Sequence, residues 1–209
     1  MFAARVVKGL RSRSPAEITF LLKVLLRNAV GLPNPIVTPD RETLEQIILP
    51  AYARRDDIRT VVFVGCDWYT RHYEKLFQGK SYWTLDPDRW KRRFGARRHL
   101  VIGMEQIDEH FAPGSIDLIV CNGVFGWGLN ERAAVERAFE GSFSRLREGG
   151  HFVLGWNDVP ERRPLELDSL VSLARFRPES FAGLGTAHHV STPGTGHTFD
   201  FYVKPGAQP

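Results

Sequence analysis

The sequence predicts an α/β protein: a mostly parallel sheet covered on both faces, closed by an antiparallel hairpin and preceded by an N-terminal helical extension. Three observations carry this. From Arg59 onward, short β-branched runs alternate with longer amphipathic segments, the pattern of repeated strand–helix–strand units. The runs are apolar from end to end, as strands buried on both faces must be. Near the end, residues 186–192 and 198–204 flank the turn PGTG at 193–196, which is a hairpin signal.

The elements follow in order. Residues 14–30 read as a helix: Ser14 caps it, Pro15 suits the first helical position, and Glu17 completes a capping box. Leu21, Leu22, Leu25 and Leu26 recur at helical spacing, and Gly31 and Pro33 end the helix. A Pro-rich extended stretch leads to a second helix over 41–52, capped by Asp40 or Thr38. Strands are expected at 61–64, 81–85, 99–102, 116–121 and 151–156. A helix carrying Tyr73, Leu76 and Phe77 follows the first strand. A stronger one covers 131–147 and is stopped by Gly149 and Gly150. Residues 165–181 read as helical up to Pro178. The chain divides into an extension, 1–58, and a core, 59–209.

Composition narrows the class. The chain has 209 residues, 43% hydrophobic and 25% charged, which suits one packed domain and argues against disorder. The formal net charge of +4 is local. Residues 1–16 hold Arg5, Lys8, Arg11 and Arg13 without an acid. Residues 89–98 hold six cations, Lys91 among them, also without one. No nucleic-acid motif accompanies either run, so both read as solvated basic surface and nucleic acid is not an expected partner. Residues 18–30 are interrupted by Lys23 and Arg27 and are too short and charged to span a membrane. An Arg-rich, acid-poor start also matches a transit peptide, and an interfacial amphipathic helix is a further reading. Cys66 and Cys121 end apolar runs and read as reduced, buried residues of a cytoplasmic protein.

In an open α/β sheet, ligands bind beyond the carboxyl ends of the strands. The residues that matter therefore follow each strand. Gly65, Cys66 and Asp67 follow the first. Asp86 ends the second, 21 residues after Gly65, where an acid can accept both ribose hydroxyls. Met104 and Glu105 follow the third. Asn122 opens NGVFGWGLN, a loop with three glycines and two aromatics. Asn157 and Asp158 follow the fifth.

The stretch from Val61 to Asp158 resembles a class I S-adenosyl-L-methionine-dependent methyltransferase domain. VVFVGCD resembles the family's first motif, Asp86 its ribose-binding acid, SIDLIVCNGVFGWGLN its fourth-strand motif and LREGGHFVLGWND the turn and fifth strand after it. The resemblance covers roughly residues 59–204. It implies a Rossmann-like, seven-stranded sheet with a terminal antiparallel hairpin and S-adenosyl-L-methionine as cofactor. The glycine motif is degenerate. Phe63 stands where the family has an acid, and Asp67 and Tyr69 stand where it has glycines.

On this resemblance Gly65, Cys66, Asp67, Asp86, Met104, Glu105 and Asn122 bind the cofactor. Tyr69, Phe125, Trp127 and His188 face the substrate, a small molecule or a saccharide hydroxyl. His72 and Asp158 are the candidate bases for the acceptor proton. No metal site is expected, and the N-terminal helices offer a route to a homo-oligomer. The altered motif leaves two other readings: a non-catalytic binding module of this fold, or an enzyme of this fold that catalyses a different reaction.

Overall fold

Alternation within the strands sets two cores, one on each face of a single sheet. The computed structural model describes residues 14–30, 32–34 and 36–206. Gly31 and the cations Arg5, Lys8, Arg11 and Arg13 lie outside the described residues. The strands are β1 (Thr60–Val64), β2 (Ser81–Leu85), β3 (Arg98–Leu100), β4 (Ile116–Asn122), β5 (Leu146–Asn157), β6 (Arg177–Pro178), β7 (His188–Thr192) and β8 (His197–Val203). Their order is β3-β2-β1-β4-β5-β8-β6, with β7 also paired to β8. Pairing is parallel from β3 through β5, and β8 runs antiparallel to β5, β6 and β7. β7 pairs with the first half of β8 and β6 with its end. The two short strands thus share one edge, and the sheet is seven strands wide.

Successive side chains on a strand point to opposite faces. Val62 and Val64 of β1 join one core, with Ile119, Phe139 and Phe152. Val61 and Phe63 join the other, with Leu118, Val153, Phe199 and Phe201. Each fully buried side chain of this kind contributes about 1.5–3 kcal/mol relative to exposure.

The helices are α1 (Pro15–Ala29), α2 (Pro39–Glu42), α3 (Leu49–Ala53) and α4 (Arg132–Arg145). Ser14 caps α1 with both halves of the capping box: its hydroxyl accepts from Glu17 N at 3.3 Å, and Glu17 Oε2 accepts from Ser14 N at 2.6 Å. Thr38 stands at the N-cap of α2 without a side-chain bond. Between α2 and α3 the chain winds as a π-helix, Thr43–Ile48. Pro50 is the physical reason: it has no N–H to donate and its ring crowds the preceding turn, so the winding widens ahead of it. Leu44, Ile48, Leu49 and Tyr52 are buried and share the second core with the sheet. This part of residues 1–58 therefore covers one sheet face, and α4 covers the other through Val135, Ala138 and Phe139.

Two expected helices are absent, and a third ends early. The segment with Tyr73, Leu76 and Phe77 forms only a 3₁₀ turn, Arg71–Lys75. Residues 165–181 form two 3₁₀ turns, Leu167–Ser169 and Leu173–Arg175, before β6. The buried apolar positions at the two turns, Leu170, Leu173 and Phe176, recur every three residues, the 3₁₀ repeat. The third correction concerns α4. It stops at Arg145, and Leu146 already belongs to β5, so Gly149 and Gly150 shape an irregularity in that strand instead of ending the helix. The hairpin forms as expected, turned by Pro193–Thr195 and by Gly196 at φ 60°. Among the described residues no helix is long and apolar enough to cross a membrane.

Candidate functional site

A cleft of about 250 Å³ opens at the carboxyl ends of β1, β2 and β4. Gly65 makes the turn out of β1 at φ 85°, a conformation that favours glycine. A Cβ there would also stand 2.7 Å from Val124 Cγ2, so the residue is fixed by both strain and space. Its N–H donates to Leu85 O at 2.9 Å, which ties the turn to β2.

Asp86 is buried at the end of β2. Its Oδ2 accepts from Cys66 N at 3.0 Å and its Oδ1 from Asp88 N at 2.9 Å. Backbone amides thus hold the carboxylate at the cleft wall. Lys91 reaches in from the following 3₁₀ turn, its Nζ 3.5 Å from Asp67 Oδ2 and 3.6 Å from Asp86 Oδ2. Burial works against the lysine's charge, but Asp86 and Asp67 outweigh it and hold its pKa above the ordinary value.

Asp67 Oδ1 accepts from Trp68 N at 2.7 Å, and Asp67 N donates to Thr70 Oγ1 at 3.0 Å, so the loop is a self-bonded turn. Trp68 is not part of the cleft lining. Its ring meets Phe20 of α1 edge-on, centroids 5.0 Å apart. Phe63, at the family's acid position, buries its ring against Tyr73, centroids 5.3 Å apart.

Tyr69 lines the cleft beneath Arg41, whose guanidinium sits 4.3 Å from the ring centroid. Arg41 Nη2 donates to Tyr69 OH at 3.2 Å and Nη1 to Tyr73 OH at 3.3 Å. Tyr73 OH in turn donates to Glu45 Oε1 at 2.5 Å. Burial raises the pKa of both phenols, so they stay protonated.

Ile102, Met104 and Leu129 give the cleft an apolar wall. Glu105 folds its carboxylate against Gly103, where a Cβ would meet it at 2.3 Å. Asn122 also lines the cleft, and its Oδ1 is buried with no hydrogen-bond partner. Trp127 stands at the rim. Its Nε1 donates to Asn157 Oδ1 at 3.0 Å, and Arg162 stacks 3.5 Å above its ring.

Nine expected site residues therefore converge: Gly65, Cys66, Asp67, Asp86, Met104, Glu105 and Asn122, with Tyr69 and Trp127. Four do not line the cleft. His72 lies behind Glu45, its Nε2 3.7 Å from Glu45 Oε2. Asp158 pairs with Arg163 at 2.7 Å. Phe125 is fully buried, its ring 5.5 Å from that of Trp156. His188 bonds Asp200 through Nδ1 at 2.7 Å, on the β7–β8 hairpin. Sequence reasoning missed Lys91 and Arg41. Lys91 lies in a basic run whose composition reads as solvated surface, although it follows Asp86 by one short turn. Arg41 gave no signal, because only the fold brings it to Tyr69.

No protein-family model matches the sequence, and no curated protein does. Solved structures do match. The N-methyltransferase NodS of Bradyrhizobium japonicum WM9 is similar with a TM-score of 0.59 at 15% identity, over 80% of this chain and 97% of that one. A NodS structure in complex with S-adenosyl-L-homocysteine gives 0.55 at 14%, over 81% and 94%. A TehB-like SAM-dependent methyltransferase from Corynebacterium glutamicum gives 0.56 at 19%, over 91% and 100%. At such identities the likeness shows the fold.

Proposed function

We propose that this chain, which has the class I methyltransferase fold, binds S-adenosyl-L-methionine in the cleft and methylates a hydroxyl of a small molecule or saccharide in the cytoplasm. The observation that carries the reading is the buried Asp86 carboxylate, held by two backbone amides at the end of β2 and facing a cleft with an apolar wall.

The residues fit the adenosine half of the cofactor. Asp86 accepts from the ribose hydroxyls, and Ile102 and Met104 pack against the base. The orphaned Asn122 Oδ1 offers a buried acceptor that a ligand donor can satisfy. Asp67 is the carboxylate that would take the cofactor's ammonium, because Phe63 stands where the family has an acid. When bound, the cofactor supplies a methyl group on an electrophilic sulfonium. The chain's own work is chiefly to align acceptor and donor. Tyr69 and Trp127 form the acceptor side. A hydroxyl acceptor must also lose its proton. Asp67 and Glu105 are the carboxylates on the lining that could accept it, whereas His72 is off the lining and paired with Glu45.

The test is calorimetric titration with S-adenosylhomocysteine. Folded wild type should bind it, and Asp86→Asn should weaken binding about tenfold or more. A second reading, a binding module without catalysis, is favoured by Lys91, which already offsets part of the charge of Asp67 and Asp86. No binding by folded wild type would overturn methyl transfer and leave that second reading.

A further inference from the structure

Helix α1 carries more apolar surface than the core uses. Ile18, Leu21, Val24 and Asn28 recur at helical spacing on its inward side, where Val24 is buried and Asn28 Oδ1 accepts from Asn34 Nδ2 at 2.7 Å. A second stripe, Leu22, Leu25, Leu26 and Ala29, follows the i, i+3, i+4, i+7 spacing on the adjoining side, and Val30 extends it. Leu22 is 56% exposed, Leu26 66% and Val30 69%. Among the described residues, nothing covers this stripe. Lys23 and Arg27, one turn apart, form its polar flank and are exposed. Residues 1–30 hold six cations, Arg5, Lys8, Arg11, Arg13, Lys23 and Arg27, against the single acid Glu17.

We infer that α1 is an interfacial helix that lays its outer stripe into an anionic lipid surface, with Lys23 and Arg27 on the headgroup side. Each signal alone is weak. A short apolar stripe binds reversibly, and a basic cluster is held only by screened charge; together they anchor. A second copy of this chain is the poorer occupant. Two-fold pairing of the stripes would bring the cationic flanks of both helices together, and like charges at such distances repel. Phe20 on the same helix rests on Trp68, next to the cleft loop, so lipid docking would hold the cleft beside the membrane plane.

The test uses the full chain and vesicle co-sedimentation. One vesicle set is phosphatidylcholine alone, and the other contains about a third phosphatidylglycerol. Wild type should sediment with the anionic vesicles only and be released by high salt. Leu22→Ser with Leu26→Ser, both on exposed positions, should weaken partition about tenfold or more while leaving the far-UV spectrum unchanged. Absence of sedimentation, equal binding to neutral vesicles, or equal binding by the double variant would overturn the inference. If wild type instead forms a dimer that the double variant dissociates, the stripe is an interface between copies.

Discussion

Lys91 Nζ stands 3.6 Å from Asp86 Oδ2, the same oxygen that accepts the Cys66 amide. A cation therefore sits on the carboxylate that the proposed cofactor's ribose requires. Lys91 also reaches Asp67, so one ammonium moderates both acids of the cleft. The proposed cofactor is a sulfonium cation, and its demethylated product is not. Removing Lys91 should favour the cation over the neutral thioether. Lys91→Met is expected to raise the affinity ratio of S-adenosylmethionine to S-adenosylhomocysteine roughly threefold or more, read by paired calorimetric titrations. An unchanged ratio would place Lys91 away from the reacting centre.

Phe125 and Trp127 are two residues apart but have opposite environments. Phe125 is fully buried, whereas Trp127 is 54% exposed. Phe125→Ala should cost about 3–5 kcal/mol of stability. Trp127→Ala should cost less than about 1 kcal/mol. Urea unfolding of the two variants checks this, and equal losses would contradict the packing.

His197 gives the fold an acid-side limit. Burial pushes its pKa down, with Arg41 adding to the effect and Asp40 opposing it, to about 4. Below about pH 6.5 the unfolded chain takes up a proton that the folded histidine refuses until about pH 4. Stability from this group is thus complete above about pH 6.5 and falls as pH drops towards 4, by roughly 3 kcal/mol at most. Urea midpoints at about pH 7 and about pH 4.5 should show the fall, and His197→Gln should flatten it. A wild-type midpoint that is level across this window would refute the assignment.

Both thiols should be inert in the folded protein. Burial, with Asp86 adding to it, pushes Cys66 up to about 12, and burial does the same for Cys121. A thiol reagent at mildly alkaline pH should label neither until denaturant is added. Rapid labelling of Cys66 would show that the cleft opens more widely than the structure indicates.

Much of this site was legible because strand ends are legible. The apolar runs located β1, β2 and β4, and the position rule then pointed to Gly65, Asp86 and Asn122. The rest depended on contacts between distant segments. Arg41 meets Tyr69 across 28 positions, and neither residue signals the other in the sequence. Lys91 was visible only as one of six cations in a run, and nothing in composition separates the cation that turns inward. Phe125 and Trp127 both suggested an aromatic wall, but spacing in a loop carries no facing information. The missing helices have a similar cause. Tyr73 and Phe77 are at helical spacing, but the Asp67–Thr70 turn and the Lys80 connection leave room for only one 3₁₀ turn between β1 and β2.

β8 is the last strand in chain order but lies inside the sheet, between β5 and the short β6 and β7. During synthesis every earlier strand leaves the ribosome before the strand that seals the sheet. Leu44 and Ile48 emerge early, yet the Phe199 and Phe201 side chains that share their core come some 150 residues later. From the completion of β5 until β8 is made, the edge of β5 is unpaired and one sheet face is only partly shielded. An emerging chain of this design depends on whatever holds nascent apolar surface apart, and a stop codon ahead of His197 would remove the strand on which the finished sheet closes.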